Sequence, residues 1–399
     1  MPHAGQRKQH KESQVTQYNK IKRFALSSTG ALALAVAGAS HAVDLSPING
    51  VTVSIGGYTK LDMIYNVNED LGDAMNISSV NTGDAEDDEV EGSTRFHARQ
   101  TRFWLNTSSE VQGSELKTRV EADFFSGNPD SGFNEVVSNS TQLRLRHAYG
   151  SWNGILAGQT WSNFMPLVAL PPTLDFNGPA GYIFNRQAQL RYTTGGFSIA
   201  LENPESALAG TSDDNDPLPD LTAKYQGSAG SISYSLSGVM TQLETDDGTN
   251  DDSATGYGVM LAASAKLGGA RIGGNLGYND GANRYIFNSS APFQNGYVDA
   301  GGEIETVSQM DAMGFVDMPL SAKLNGLLAV GYSGGDADDE AAAQAAGFKD
   351  STMSVHANLR YQATDRIMYG VEFQHARVDE YDGTDGDANR VQVSAQYTF

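Results

Sequence analysis

The chain of 399 residues contains no cysteine, which excludes both a disulfide framework and a thiolate metal site. Past residue 42 no apolar run approaches the roughly 20 residues of a transmembrane helix. Basic residues are scarce, since 26 Lys and Arg stand against 48 Asp and Glu, a net charge of −22. Nucleic acid demands a basic surface, so this composition argues against nucleic acid as a partner.

The N-terminal segment has the pattern of a secretion signal. Three basic residues, Lys20, Lys22 and Arg23, precede the short apolar run Phe24–Ala39, and Ser40-His41-Ala42 then offers small residues to a signal peptidase. A membrane anchor is the alternative, but this run is short for a span of about 20 residues. We therefore predict that residues 1–42 are removed, leaving a mature chain 43–399 with a net charge of −27.

The last eleven residues, 389–399, alternate in polarity. Because a strand has a period of two, one face is apolar and the other polar. In an outer-membrane barrel the apolar face meets lipid and the polar face lines a wet lumen. The terminal Tyr-x-Phe also matches the C-terminal insertion signal of such barrels. The apolar face carries Val391, Val393, Ala395, Tyr397 and Phe399.

The mature chain contains sixteen candidate strands, many with the same alternation, and a parity change around Arg95–Thr101 that predicts a bulge. Short turns and long loops alternate between them, which is the layout of an outer-membrane barrel. We predict an all-β fold: a sixteen-stranded antiparallel transmembrane β-barrel over 43–399, in the outer membrane of a Gram-negative bacterium. A soluble all-β array is the alternative, and the signal peptide and loop asymmetry argue against it. The short turns are Ser108–Gly113, Asn153-Gly154, Gly195-Gly196, Gly227–Gly230, Gly268-Gly269, Met318–Leu320 and Ala363–Arg366; the long loops include Val67–Gly92, Glu205–Pro219, Glu244–Thr255, Asn279–Val307, Gly334–Asp350 and Asp379–Ala388.

One loop, Asn163–Gly181, differs from the acidic others. It contains four prolines, several apolar residues and a single charge, Asp175. A stiff, partly apolar loop suits a segment that folds into the barrel and narrows its otherwise open lumen. We predict such an inward-folded constriction loop here; packing against a neighbouring subunit is the alternative.

Four sequence blocks carry a resemblance to a known family. They are Arg99–Phe103, Leu143–Tyr149, Leu156–Ser162 and Leu174–Gly181. These blocks resemble the signature blocks of DcaP-type porins, which are similar to the broader class of trimeric sixteen-strand porins. The close likeness spans about residues 95–195, and the strand plan extends it over the mature chain. The resemblance implies a homotrimer that passes small anions, including dicarboxylic and aromatic acids.

Segment 94–195 holds nine basic residues and, unlike the rest of the mature chain, more basic than acidic ones. A charge on the lipid face would cost roughly 2–4 kcal/mol at the bilayer midplane, so strand alternation assigns six of them to the lumen. Such a cationic wall selects anions, because guanidinium groups pair with carboxylates. Neutralisation by Glu121 and Asp123 is the alternative. The predicted pore lining consists of Arg102, Lys117, Arg119, Arg144, Arg146 and Arg191, together with Asp175 of the inward loop.

Catalysis has little support in the sequence. Alternation turns His147 and His375 towards lipid or the subunit interface, and His97 lies near a loop. His356 could line the lumen beside Ser354, but no orienting acid or oxyanion site is visible. Acidic runs such as Asp84–Glu91 and Asp336–Glu340 lack the spacing of a calcium loop. We therefore expect no enzyme activity, no cofactor and no metal site, with an outer-membrane hydrolase as a distant alternative.

These observations predict an outer-membrane porin, a passive diffusion channel for small organic anions such as dicarboxylates. The expected partners are two further copies in a homotrimer, outer-membrane lipid, lipopolysaccharide and the anionic solutes. Two alternatives remain open. One is a nonspecific general porin, and the other is a structural or receptor barrel with a plugged lumen.

Overall fold

Antiparallel strands make up most of the computed structural model, which describes residues 42–83, 92–126, 138–211, 216–246, 248 and 251–399. The predicted signal peptide, except for Ala42, and the acidic run Asp84–Glu91 lie outside these residues. Within them no helix is long and apolar enough to cross a membrane, and the one α-helix is α1 (Glu340–Ala345). The strands are β1 Val43–Ile48, β2 Val51–Asn66, β3 Ser93–His97, β4 Arg102–Val111, β5 Ser114–Asp123, β6 Arg144–Trp152, β7 Ile155–Trp161, β8 Tyr182–Ile183, β9 Arg186–Thr194, β10 Phe197–Glu202, β11 Leu208–Ala209, β12 Asp220–Ala229, β13 Ile232–Asp246, β14 Asp251–Leu267, β15 Ala270–Asp280, β16 Ile286–Phe287, β17 Gly296–Val298, β18 Ile304–Thr306, β19 Ser308–Pro319, β20 Leu324–Asp336, β21 Ser351–Gln362, β22 Ile367–Asp379 and β23 Asp385–Thr398.

Eighteen of these strands form one sheet that closes on itself. Strand β2 pairs with β3 and β4 along one edge and with β23 along the other, from Tyr58↔Thr398 to Asn66↔Arg390. Strands β3 and β4 together make one barrel strand, and β1 is a short hairpin arm on β2. The barrel therefore has sixteen antiparallel strands, as predicted.

The predicted bulge lies between β3 and β4. Residues 98–101 interrupt the ladder, and the parity of the outward side chains changes across the gap. Phe96 before it and Phe103 after it are 49% and 41% exposed on the outer face, although their numbers have opposite parity. A bulge bends the strand locally and re-aims the side chains that follow it.

All seven short turns occur where the sequence predicts them, and all lie at one end of the barrel. The turn between β6 and β7 shows why particular residues are needed there. Asn153 and Gly154 have φ of 50° and 83°, the left-handed pair that a two-residue hairpin turn requires. We call this the short-turn end, and the opposite end the long-loop end.

Side chains alternate between the outer face and the interior along every long strand. On β14, Val259 and Leu261 are about half exposed on the outer face, whereas Met260 between them is fully buried. On β20, exposed Leu328 lies between buried Leu327 and Ala329. The outer face is thus an apolar band suited to lipid, and on these strands the alternation assigned from the sequence is confirmed.

The loop Asn163–Gly181, hereafter the inward loop, folds into the barrel as predicted. Its apolar residues pack against inward side chains of β13, β14, β19 and β20 rather than against lipid. Polar side chains of the wall bind its carbonyl groups: Ser237 Oγ donates to the carbonyl of Phe164 over 2.7 Å, and Arg271 donates to those of Val168 and Leu170. The loop residues buried in this apolar cluster are Phe164, Met165, Val168 and Ala169.

Two further loops fold inward, which corrects the prediction that a single loop does so. The segment 67–83 buries Leu71, Met75, Ile77 and Val80 against the wall, and the segment 281–307 adds β16 to β8 in a two-stranded sheet. The side chain of Asn288 joins all three loops, since it donates to the carbonyls of Met75 and Gly178. The sequence groups both segments with the acidic loops that are expected to be exposed, because their apolar residues occur only in short runs.

Glu372 anchors the far end of the inward loop. Its buried carboxylate accepts the backbone N–H of Leu174 over 2.7 Å and that of Asp175 over 3.1 Å. The same carboxylate also accepts from Asn358 Nδ2 over 2.7 Å and contacts His356 Nδ1 at 3.2 Å. A charged acceptor shared by the loop backbone and the wall holds the loop in place more strongly than neutral contacts would.

Gly331→Ala is expected to push the inward loop off the wall. A Cβ at Gly331 would lie 2.2 Å from the carbonyl oxygen of Ala180, so backbone has to move, at a cost of about 1–3 kcal/mol. Gly314→Ala is the matched control, because a Cβ there meets nothing within 4 Å. Thermal unfolding and single-channel noise measure the effect. Equal unfolding temperatures and equal current noise in the two variants would show that the loop does not pack closely against Gly331.

Glu372→Gln is expected to loosen the loop while the barrel stays folded. The two carboxylate oxygens each accept one loop N–H, so the NH2 of the new amide has to face one of these donors, which costs about 1–3 kcal/mol of local stability. The expected result is noisier single-channel current with unchanged gel mobility of the unheated barrel. Glu115→Gln, at a short turn where the side chain is 53% exposed, is the control. Quiet current from Glu372→Gln would contradict the anchoring role.

Candidate functional site

The predicted basic wall forms on three neighbouring strands, β4, β5 and β6. Antiparallel register places Arg102 opposite Asp123 across β4 and β5, and Asp123 opposite Arg144 across β5 and β6. Strand β9, two barrel strands further on, begins at Arg186. We call these groups the arginine cluster, which consists of Arg102, Arg119, Arg144, Arg146 and Arg186 around Glu121 and Asp123.

Two buried carboxylates lie at the centre of the cluster. Arg144 forms a two-pronged pair with Asp123, with both N···O distances 2.9 Å. Arg146, only 2% exposed, bridges the carboxylates at 2.7 Å to Glu121 and 2.9 Å to Asp123. Because a buried charge requires a partner, these pairs explain how the acids tolerate burial.

Glu121 has further contacts with β4, with its own strand and with His147 of β6, whose Nε2 lies 4.0 Å from Glu121 Oε1. Arg119 donates to Glu121 and also to Asn106 Oδ1 over 3.1 Å, while Arg102 Nε lies 3.5 Å from Glu121 Oε1. Glu121 and Asp123 therefore neutralise part of the positive charge of the basic wall, as the alternative interpretation of the sequence holds. Four guanidinium groups share the two carboxylates and Arg186 pairs with neither, so the cluster of five arginines keeps an excess of three positive charges.

The other three predicted pore-lining residues lie apart from the cluster. Lys117 faces the same way as Arg119 but sits by the short-turn end, where it pairs with Glu115 at 2.9 Å. Arg191 donates to Gln189 Oε1 and to the carbonyl of Trp161. Asp175 is 2% exposed, and its carboxylate accepts backbone N–H groups of Met75, Asn177 and Gly178. The structure thus places Asp175 in the loop framework rather than at the lumen surface.

Aromatic rings, one of them from the inward loop, lie against the cluster. Phe176 stacks on Phe125 with centroids 4.3 Å apart, and the guanidinium carbons of Arg144 and Arg146 lie 5.1 and 5.6 Å from its ring. From Phe176 a chain of ring contacts continues through Phe184 to Phe287. Cations favour the faces of aromatic rings, so these contacts position the arginines without neutralising them.

Arg186 is held by rings alone. Its guanidinium carbon lies 4.6 Å from the Trp161 ring centroid and 5.5 Å from that of Phe184. Among the residues that the structure describes it has no ion pair, and its buried Nη1 has no hydrogen-bond partner. The sequence identified Arg186 as basic but did not assign it to the pore lining, and no signal in the sequence marked Phe176 or Phe184 as its neighbours.

His147 turns inward, contrary to the alternation assigned from the sequence. The register of β5 and β6 shifts between Glu121 and Ala122, so both Arg146 and His147 face the interior. There His147 contacts Thr160 Oγ1 at 3.0 Å and the Trp161 ring. The shift at this bulge is a tertiary feature, which a strict period of two cannot show.

At the long-loop end a second group of arginines is neutralised by a loop. Arg95 pairs with Asp70 and Asp73, and Arg99 also pairs with Asp73. Although burial opposes ionisation, hydrogen bonds from the Gly72 N–H and from Arg95 hold the pKa of Asp70 below its usual value. These arginines at the long-loop end therefore differ from the arginine cluster, because loop carboxylates compensate them. No group of three His, Asp or Glu in the described ranges is placed to hold a metal ion.

Comparison with known proteins identifies the family and supports the fold. The profile of the DcaP outer membrane protein family matches residues 106–399. The crystal structure of the outer membrane channel DcaP of Acinetobacter baumannii is similar, with 25% identity and a TM-score of 0.78 over 89% of this chain and 99% of that one. No curated protein matches the chain.

More distant porins share the fold. The anion-selective porin from Comamonas acidovorans is 13% identical, with a TM-score of 0.55 over 88% of this chain and all of that one. The trimer form of OmpT from Vibrio cholerae is 12% identical, with a TM-score of 0.54 and the same coverage. The family and the fold are those of outer-membrane channels, not of enzymes. With a family match over most of its length and a closed sixteen-strand barrel, the chain belongs to the DcaP outer membrane protein family and is a channel of the Gram-negative outer membrane.

Proposed function

We propose that this porin is a passive diffusion channel selective for small organic anions, dicarboxylates among them. The observation that carries the proposal is the excess of three positive charges in the arginine cluster, which faces an inward loop with no exposed carboxylate. The loop's one charge, Asp175, is buried among backbone N–H groups. A solute between the wall and the loop would therefore meet guanidinium groups and aromatic rings.

The net charge of −27 does not oppose this proposal. Much of that charge lies on the long loops, and exposed charges more than about 8–10 Å from a solute are largely screened at physiological salt. Charges within the lumen act at shorter range and in a medium of lower dielectric constant. The local excess of arginine then outweighs the distant excess of acid.

Dicarboxylates are favoured because two guanidinium forks can engage one molecule. Arg119 and Arg144, whose side chains are about 30% exposed, offer such forks to the lumen. Their partners Glu121 and Asp123 prevent permanent binding, since a solute carboxylate has to compete with them. Weak and repeated contacts of this kind permit both selection and release.

The proposal includes a homotrimer, which the fold similarity to the trimer form of OmpT supports. Each apolar outer face would then meet either lipid or a neighbouring copy, with lipopolysaccharide at the long-loop end. Selection acts within a single barrel, because the arginine cluster is built by one chain.

A planar bilayer with a salt gradient tests the selectivity. The wild-type reversal potential is expected to show anion preference. Arg119→Gln combined with Arg144→Gln is expected to lower the anion-to-cation permeability ratio by roughly three- to tenfold, because two charges near the permeating ion are lost. Arg366→Gln combined with Arg377→Gln removes the same charge from exposed sites outside the lumen and is expected to leave the ratio nearly unchanged.

Other outcomes point to other functions. Cation preference in the wild-type protein would overturn anion selectivity and favour the nonspecific general porin. A folded barrel without conductance would favour a plugged structural or receptor barrel.

A further inference from the structure

Arg186 differs from the other four arginines of the cluster in having no carboxylate partner. Arg102, Arg119, Arg144 and Arg146 each lie within 3.5 Å of Glu121 or Asp123. Within the described part of the chain, Arg186 contacts only the rings of Trp161 and Phe184. Its charge and its hydrogen-bond donors are therefore not consumed by the protein.

Other cations inside the barrel are occupied or covered. Lys224 donates to the carbonyl of Met165 and is 6% exposed, and Arg271 donates to the carbonyls of Val168 and Leu170. Arg390 lies 4.0 Å from Asp175 and is 1% exposed beneath the loops. Arg186, by contrast, is only half-buried.

The surroundings of Arg186 hold its guanidinium group in place. The rings of Trp161 and Phe184 contact each other at 5.1 Å, and the backbone of Arg186 pairs with that of Trp161 across β7 and β9. A planar cation stacked on rings loses little further rotamer freedom when it binds an anion. Such a group is a ready fork for a carboxylate, with donors that no internal acid competes for.

We propose that Arg186 is the residue that binds the carboxylate of a solute in transit, while the four arginines paired with Glu121 and Asp123 supply the surrounding field. This assignment rests on the proposed function, since it presupposes that organic anions enter the lumen. The carboxylate would accept hydrogen bonds from the guanidinium group, and the solute's carbon chain would lie along Phe184 and Phe287.

Succinate is the probe, and its binding is measured from the current fluctuations that it causes in single channels. Arg186→Gln is expected to weaken succinate binding by about tenfold or more, the usual effect of losing a charge-assisted hydrogen bond. Arg186→Lys keeps the charge but loses the fork, so it is expected to retain chloride preference while binding succinate more weakly. That split separates a binding role from a merely structural one.

Arg360→Gln is the matched control, since Arg360 is also an inward arginine but is paired with Asp317. It removes the same charge from the lumen and is expected to change succinate binding by less than about twofold. An equal loss in Arg360→Gln would mean that bulk lumen charge governs binding, which overturns the assignment to Arg186.

The remaining outcomes separate this inference from the proposed function. An anion-selective wild type whose Arg186→Gln variant binds succinate normally would sink the inference alone. A wild type with neither anion preference nor a response to succinate would remove both. Where Arg186→Gln does not fold, Arg186→Lys decides: wild-type succinate binding overturns the inference, and weakened binding supports it.

Discussion

Hydrogen bonding of the backbone in a medium without water is the constraint on which this structure depends. A sheet in the hydrocarbon region has to close, because an open edge would leave N–H and C=O groups unpaired. The pairing of β2 with β23 provides that closure. Once the sheet is closed, every second side chain faces lipid and the others face the interior, so charge can accumulate only inside.

The interior then has its own electrostatic problem, which the arginine cluster solves in part. Glu121 and Asp123 are buried and would be unstable alone, and the surrounding guanidinium groups compensate them. Because arginines outnumber the acids, a net positive charge remains after the two carboxylates have been neutralised. The same arrangement that stabilises two buried carboxylates therefore leaves a local excess of positive charge at the cluster.

The inward loops decide which part of that field a solute meets. They bind the walls formed by β12–β15 and β19–β23 through carbonyl groups and apolar side chains. They also turn Phe176 towards the arginines, where it contacts Phe184 from the segment between β8 and β9. Their acids are engaged elsewhere: Asp175 with loop N–H groups, Asp70 and Asp73 with Arg95. Aromatic rings rather than carboxylates consequently face the cluster.

The sequence by itself determined the closed sixteen-strand barrel, the seven short turns, the bulge before Arg102 and the inward position of Asn163–Gly181. These follow from local rules, namely the period of two, turn chemistry and composition. Only the tertiary structure decided that His147 faces inward, that two more loops enter the lumen, and that Asp175 is buried. It also decided that Arg186 has rings but no acid beside it. Those features depend on register shifts and on contacts between segments distant in sequence, which no local periodicity records.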